Sequence, residues 1–194
     1  MTVPLPYGRG SEGVCRVHAL LLLTAVLASA QTVKTGQLLI ATTAPHDPDF
    51  TRTVVLIVHA DEHGVAGLFL NRPTDADIGK VLPGLTQAAD KTVYAGGPLA
   101  LGINALVRSR IRPAEGHRIA GDIWLIADQE AIARIFSRSK QPARVYIGQC
   151  GWSVQQMQSE IARKLWTVSL ADADVVFDGH TQTLWTRLSL RVRR

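Results

Sequence analysis

Apolar residues in this chain arrive as short, almost unbroken runs parted by polar turns, and helical spacing takes over only in the second half. Residues 38–41 (LLIA), just after Gly36, predict a strand. Residues 53–58 read TVVLIV, β-branched and continuously apolar, which is the pattern of a strand covered on both faces. Residues 65–70 resume that pattern after the polar turn Asp61-Glu62-His63-Gly64, so the two runs predict a β-hairpin that Asn71-Arg72-Pro73-Thr74 ends. Further strands are predicted at 93–95, at 123–127, at 144–148 and at 166–170, with an extended segment over 106–111.

Helical spacing appears in four places. Asp77 is placed to cap a short helix through Leu82, with Ile78, Val81 and Leu82 on its apolar side. Asp128 is placed to cap a second, whose Ala131, Ile132, Ile135 and Phe136 share one face. That helix should stop before Pro142, because proline disfavours helical geometry in the residue preceding it. Ser153 and Gln156 form a Ser-x-x-Gln capping box ahead of Val154, Met157, Ile161 and Leu165, and Glu160 and Lys164 are spaced for an i,i+4 ion pair. An acidic turn over 172–178 then precedes a last helix carrying Leu184, Trp185 and Leu188. Strands and helices interleave with no repeat and no linker, which predicts one α/β domain.

Composition narrows the class. The chain has 194 residues, 46% hydrophobic and 19% charged, enough to bury one core unaided and unlike a disordered, collagenous or coiled-coil sequence. Two cysteines, Cys15 and Cys150, exclude a disulfide scaffold and a four-cysteine zinc site. The formal charge of +5 owes much to Arg187, Arg191, Arg193 and Arg194 at the C-terminal end, ahead of which residues 31–186 are balanced. Residues 1–30 read as a secretory signal peptide. The run at 19–30 (ALLLLTAVLASA) follows Arg9 and Arg16 and closes on the small-x-small site Ala28-Ser29-Ala30. At about 12 residues it falls short of the roughly 20 that span a bilayer. The mature chain, 31–194, is therefore expected to carry no transmembrane segment and to be exported to the periplasm, the alternative being a cytoplasmic protein that keeps its leader. Residues 1–13 are polar and long for a signal start, which points to translation beginning near Val14.

Several residue groups could carry chemistry. Cys150, in Gly148-Gln149-Cys150-Gly151-Trp152-Ser153, has the look of a thiol-protease nucleophile segment, and a position ahead of a helix N-terminus would lower its pKa. A thiol hydrolase also needs an imidazole base, and His46, His59, His63, His117 and His180 stand in no recognisable signature. The plainer reading makes Cys150 a small packed residue at a strand-to-helix turn. His59, Asp61, Glu62 and His63, with His46, Asp47 and Asp49 nearby, include metal-ligand types, yet a hairpin tip is polar for solubility and lacks helical His-x-x-x-His spacing, so no metal site is expected. Arg108, Arg110 and Arg112 alternate, and on a strand they would line one face beside His117 and Arg118, a candidate anion site or a charge-guarded edge. Without interleaved aromatics they make a thin nucleic-acid signal. Gly96-Gly97-Pro98 could offer backbone amides to an anion, but it lacks the lysine and the spacing of a phosphate loop and reads as a tight turn.

Taken in order, these segments resemble the AlgH/YqgE family of small bacterial proteins. The likeness runs through Gly36-Gln37-Leu38-Leu39-Ile40-Ala41, Asp47-Pro48-Asp49-Phe50, Arg52-Thr53-Val54-Val55, Gly67-Leu68-Phe69-Leu70-Asn71-Arg72-Pro73-Thr74 and Gly96-Gly97-Pro98 to Gly151-Trp152, Trp166 and Phe177-Asp178. The resemblance implies a compact mixed α/β domain whose sheet is strongly bent and barrel-like, flanked by helices. It also implies a family named for a proposed role in regulating alginate production, without an established reaction or cofactor. Two departures stand out: members of the family generally begin at the strand holding Gly36 and are cytosolic, and a small residue such as alanine is expected where Cys150 stands. The expectation is a non-enzymatic regulatory or binding module, without cofactor, that takes a small anionic ligand or a protein partner. Its tentative binding residues are Asn71, Arg72, Pro73, Gly96, Gly97, Pro98, Arg108, Arg110 and Arg112. A thiol hydrolase centred on Cys150 is the first alternative, and a DNA-associated regulator, disfavoured by export, is the second.

Overall fold

The structure is a computed structural model that describes residues 32–44, 47–82, 92–138 and 140–192. The expected leader, Cys15, His46, Arg193 and Arg194 lie outside the described residues. Among the described residues nine strands follow one another: β1 (Gln37–Ala41), β2 (Val54–Ala60), β3 (Val65–Phe69), β4 (Val93–Ala95), β5 (Leu99–Arg108), β6 (His117–Ala120), β7 (Ile123–Ile126), β8 (Ala143–Trp152) and β9 (Trp166–Leu170). Between and after them come α1 (Ile78–Val81), α2 (Gln129–Arg138), α3 (Val154–Ala162), α4 (Ala173–Val176) and α5 (Thr181–Val192), and one 3₁₀ turn at Pro48–Phe50.

The sheet runs β6-β7-β5-β8-β3-β2-β1-β9, with β4 added in parallel to β8 and every other pairing antiparallel. It curls hard. Leu38 of β1, Leu56 of β2, Leu68 of β3, Tyr94 of β4, Leu106 of β5, Ile119 of β6, Ile123 of β7 and Tyr146 of β8 meet in a single interior cluster, which a flat sheet of this width could not gather. Gly36 comes so close to the far edge that a Cβ there would stand 2.6 Å from the Ile119 carbonyl oxygen. The concave side is filled by α4 and α5 through Ala173, Val176, Leu184 and Leu188.

Both faces of the central strands are covered, as the uninterrupted run at 53–58 requires. Val54, Leu56 and Val58 point into the concave cluster, while Val55 and Ile57 point outward to a second cluster with Trp152, Met157 and Trp166 under α3. A third cluster seats Ala131, Ile132 and Phe136 of α2 on Ala105, Val107, Ile126 and Val145. The predicted hairpin is present, with β2 and β3 paired across a turn that the Asp61 amide closes on the Gly64 carbonyl at 3.0 Å.

Three expectations need correction. The extended segment placed at 106–111 is in fact β5, which starts at Leu99 and ends at Arg108. The acidic turn at 172–178 contains α4, capped by the Asp172 carboxylate, which accepts from the Asp174 amide at 2.9 Å. The Glu160–Lys164 pair gives way to another arrangement: α3 ends at Ala162, Lys164 takes a left-handed φ of 56°, and Glu160 accepts instead from the Trp166 indole at 2.7 Å. Among the described residues no helix is long and apolar enough to cross a membrane.

Candidate functional site

The tentative binding residues fall into two separate places. Asn71, Arg72 and Pro73 lie beside Gly96 and Gly97, and both segments tie β4 into the sheet. Asn71 is buried, its side-chain oxygen accepting from the Val54 amide and its nitrogen donating to the Arg52 carbonyl, each at 2.9 Å. Arg72 donates to the Thr51 carbonyl at 2.6 Å with its guanidinium 6.0 Å from the Phe69 ring, and Pro73 bridges to Tyr94. Gly96 offers no free amide, since it donates to the Ile147 carbonyl at 2.7 Å. A Cβ on Gly96 would stand 2.1 Å from the Gly148 oxygen, and one on Gly97 would stand 2.2 Å from the Gln149 carbonyl carbon. The Gly-Gly pair is therefore explained by two backbones passing too close for any side chain. Pro98, exposed beyond them, leads into β5.

The arginine stripe does not form. Arg108 is the last residue of β5, and Arg110 and Arg112 lie past the strand, where alternation no longer orders them. Arg108 is already held, Nε donating to Asp122 at 2.9 Å and Nη1 to Asp174 at 2.6 Å. The Arg108 hydrogen bond in turn lowers the Asp122 pKa. Arg118 donates to the Gly121 carbonyl at 2.8 Å and lies over Trp124, and His117 is exposed on β6.

Cys150 stands inside β8 rather than at a turn ahead of a helix. It is wholly buried, and its thiol donates to the Gly96 carbonyl at 3.5 Å. Burial raises its pKa, the opposite of what a nucleophile needs. The hairpin imidazoles are engaged locally: His59 meets Asp61 at 2.9 Å and His63 lies 3.7 Å from Glu62. The Asp61 pKa is lowered, first by the His63 amide, which makes the cluster a self-satisfied turn. Among the described residues no three metal-ligating side chains converge.

A concave feature lined by four cations lies elsewhere. β5 and β8 separate just past the Arg108 amide, which donates to the Pro142 carbonyl at 2.9 Å. Proline has no N–H with which to continue the ladder. Between the diverging ends opens a groove of about 910 Å³, walled by residues from 109–114, by one face of α2 and by residues 140–142. Asp128 starts α2 by accepting from the Ala131 amide at 2.7 Å, and Ile132 and Phe136 anchor its inner side to the sheet. That anchoring turns Arg134 and Arg138, one helical turn apart, to the groove. Lys140 stands beyond the helix end, and Arg112 comes from the opposite wall. Ile111, Pro113, Ala114, Ile135 and Pro142 supply the apolar lining. Among the described residues no carboxylate lines the groove; Glu130 stands outside it and reaches Arg134 at 3.6 Å.

Of the sequence candidates, then, only Arg112 belongs to this groove. Arg134, Arg138 and Lys140 were missed, although their spacing on the polar side of a predicted helix was a visible signal.

Comparison with known proteins agrees with this architecture. The AlgH-like family model matches residues 38–193. A UPF0301 protein of Streptomyces avermitilis is 33% identical over 168 residues, covering 82% of this chain and 86% of that one. Another, from Mycobacterium avium, is 33% identical over 179 residues, 86% of each chain. The solution structure of the AlgH protein from Pseudomonas aeruginosa superposes with a TM-score of 0.68 at 25% identity, over 82% of this chain and 87% of that one. A crystal structure of a Corynebacterium diphtheriae protein gives 0.67 at 24%, over 83% and 88%. With the profile, the relatives and the curled sheet in agreement, the chain belongs to the AlgH-like family.

Proposed function

We propose that this chain works by binding rather than by turnover, as a module that receives an anionic ligand or an anionic stretch of a partner in the groove between α2 and residues 109–114. The observation that carries this reading is the four cations, Arg112, Arg134, Arg138 and Lys140, on the walls of one concavity with no lining carboxylate among the described residues. Like charges gathered on one groove repel in the free protein, and an anion relieves that repulsion as it binds. The burial of Cys150 supports binding over thiol chemistry.

The test is a titration of the full ¹⁵N-labelled chain with octaglutamate at about 50 mM salt, a concentration that leaves surface charges lightly screened. Saturable amide shifts are expected at residues 109–114 and 131–142. They should weaken at least about fivefold on adding 200 mM salt and in the double variant Arg112→Gln/Arg138→Gln, whose exposed positions leave the fold intact. Absence of saturation, or shifts confined to the C-terminal arginines, would remove this reading.

A further inference from the structure

The groove is more than a patch of charge, and its other features narrow what it takes. Ile111 is 80% exposed on one wall, and with Ile135 and the two prolines it leaves an aliphatic strip between the cations. An occupant made of charge alone would leave that strip wet. The stretch of α2 that lines the groove, from Ala131 to Arg138, rises about 10 Å, which matches about three residues of extended peptide.

A compact phosphate group fits poorly. Phosphate sites gather several convergent N–H donors, usually at a helix N-terminus. Here the groove runs along almost the whole of α2, from Ala131 to Arg138, and the Ala131 amide is already taken by the Asp128 carboxylate. Pro113 and Pro142 have no N–H to give, and the Ile111 amide is turned to Ser109 Oγ at 3.2 Å. The positive charge is carried instead on long side chains spread along both walls. A nucleic-acid strand fits no better, since among the described residues no aromatic side chain lines the groove to stack a base.

We infer, building on the anion-binding reading above, that the occupant is an acidic extended segment of a partner protein that sets one aliphatic or aromatic side chain against Ile111 and Ile135 between carboxylates held by Arg112 on one wall and Arg134 and Arg138 on the other. Complementarity is then twofold: charge fixes where the segment lies, and the apolar anchor supplies burial that a simple anion lacks.

The probe is a set of fluorescent octapeptides, seven glutamates with Leu, Phe or Ser at the fourth position, measured by anisotropy against the full chain and its Ile111→Ser variant. The Leu or Phe peptide should bind about tenfold more tightly than the Ser peptide, the ratio expected for burying one such side chain in part. In Ile111→Ser that preference should fall to within about twofold while octaglutamate still binds, since the substitution touches an exposed residue and leaves the cations in place. If octaglutamate binds and the three peptides are alike, the anchored-peptide inference fails and the anion-binding reading survives. If an oligothymidylate of equal charge binds more tightly than the Leu and Phe peptides, the inference fails in favour of a nucleic acid. If octaglutamate itself does not bind, both fall.

Discussion

Among single residues, Asp178 ties the C-terminal helix α5 to β8. Its carboxylate accepts from Arg187 of α5 at 2.6 Å and from the His180 amide at 2.7 Å, while its backbone carbonyl accepts from Arg144 of β8. Arg144 is itself buried, stacked 4.9 Å from the centre of the Tyr94 ring and bound by main-chain carbonyls. Burial alone would raise the Asp178 pKa, but the His180 amide and the Arg187 guanidinium outweigh it and hold the group below the ordinary carboxylate range. A depressed folded-state pKa contributes stability that is fully present above the unfolded value, near 4, and is lost as pH falls through the folded one. Asp178→Asn keeps an acceptor for the turn but breaks the ion pair. It should lower stability by about 1–3 kcal/mol at pH 7. Urea denaturation of both proteins at pH 7 and at pH 3 checks the sign: the gap should narrow at the lower pH, and a gap that does not change with pH would show that the ion pair is not its source.

At the scale of elements, legibility followed burial and capping. The capping box was readable because it is local: Ser153 Oγ accepts from the Gln156 amide at 3.1 Å, and Gln156 Oε1 accepts in return from the Ser153 amide at 2.8 Å. Ser153→Ala should therefore cost about 1 kcal/mol. That is a fall in melting temperature of about 2–4 °C for a domain of this size, readable by circular dichroism. The other end of α3 was harder, because nothing in Arg-Lys-Leu announces a stop. Lys164 turns left-handed and the Leu165 amide reaches back to the Glu160 carbonyl at 3.0 Å, so Leu165 packs as the residue after the helix and not as its last turn. β5 and β8 were under-read for a related reason. Gly148 and Gly151 punctuate β8 like a turn, yet they lie inside the strand, Gly148 close against the β4–β5 connection and Gly151 under the Leu99 side chain. Leu99 and Leu101 begin β5 on an exposed, irregularly paired stretch that lacks alternation. The groove was legible only in halves. Arg112 was visible as a candidate, but its partners on α2 lie more than twenty residues away and meet it only because β5 and β8 diverge.

On the scale of the whole molecule, the sheet cannot close its own core. The first strand pairs with the last, β1 with β9, and the sheet bends until residues of eight strands share one cluster, which leaves a concave side open to water unless α4 and α5 fill it. α5 does so with Leu184 and Leu188 pointing in, while the Trp185 indole donates to the Ala41 carbonyl at 2.7 Å and stacks 5.6 Å from Arg52. The C-terminal helix is thus a structural part of the barrel and not an appendage, and the domain should unfold as one unit. Leu184 is 1% exposed in that interior. Leu184→Ala leaves a cavity bounded by strands that cannot all collapse toward it, which should cost about 2–5 kcal/mol. Four tryptophans report on this directly, since Trp152 and Trp166 sit in the outer cluster beneath α3, Trp185 at the α5 contact and Trp124 on β7. Guanidinium titrations followed by tryptophan fluorescence and by far-ultraviolet circular dichroism should coincide for both proteins, with the variant's midpoint lowered and its slope unchanged. Two separated transitions in the variant, with helix signal lost ahead of sheet signal, would mean that α5 docks on a barrel already stable without it.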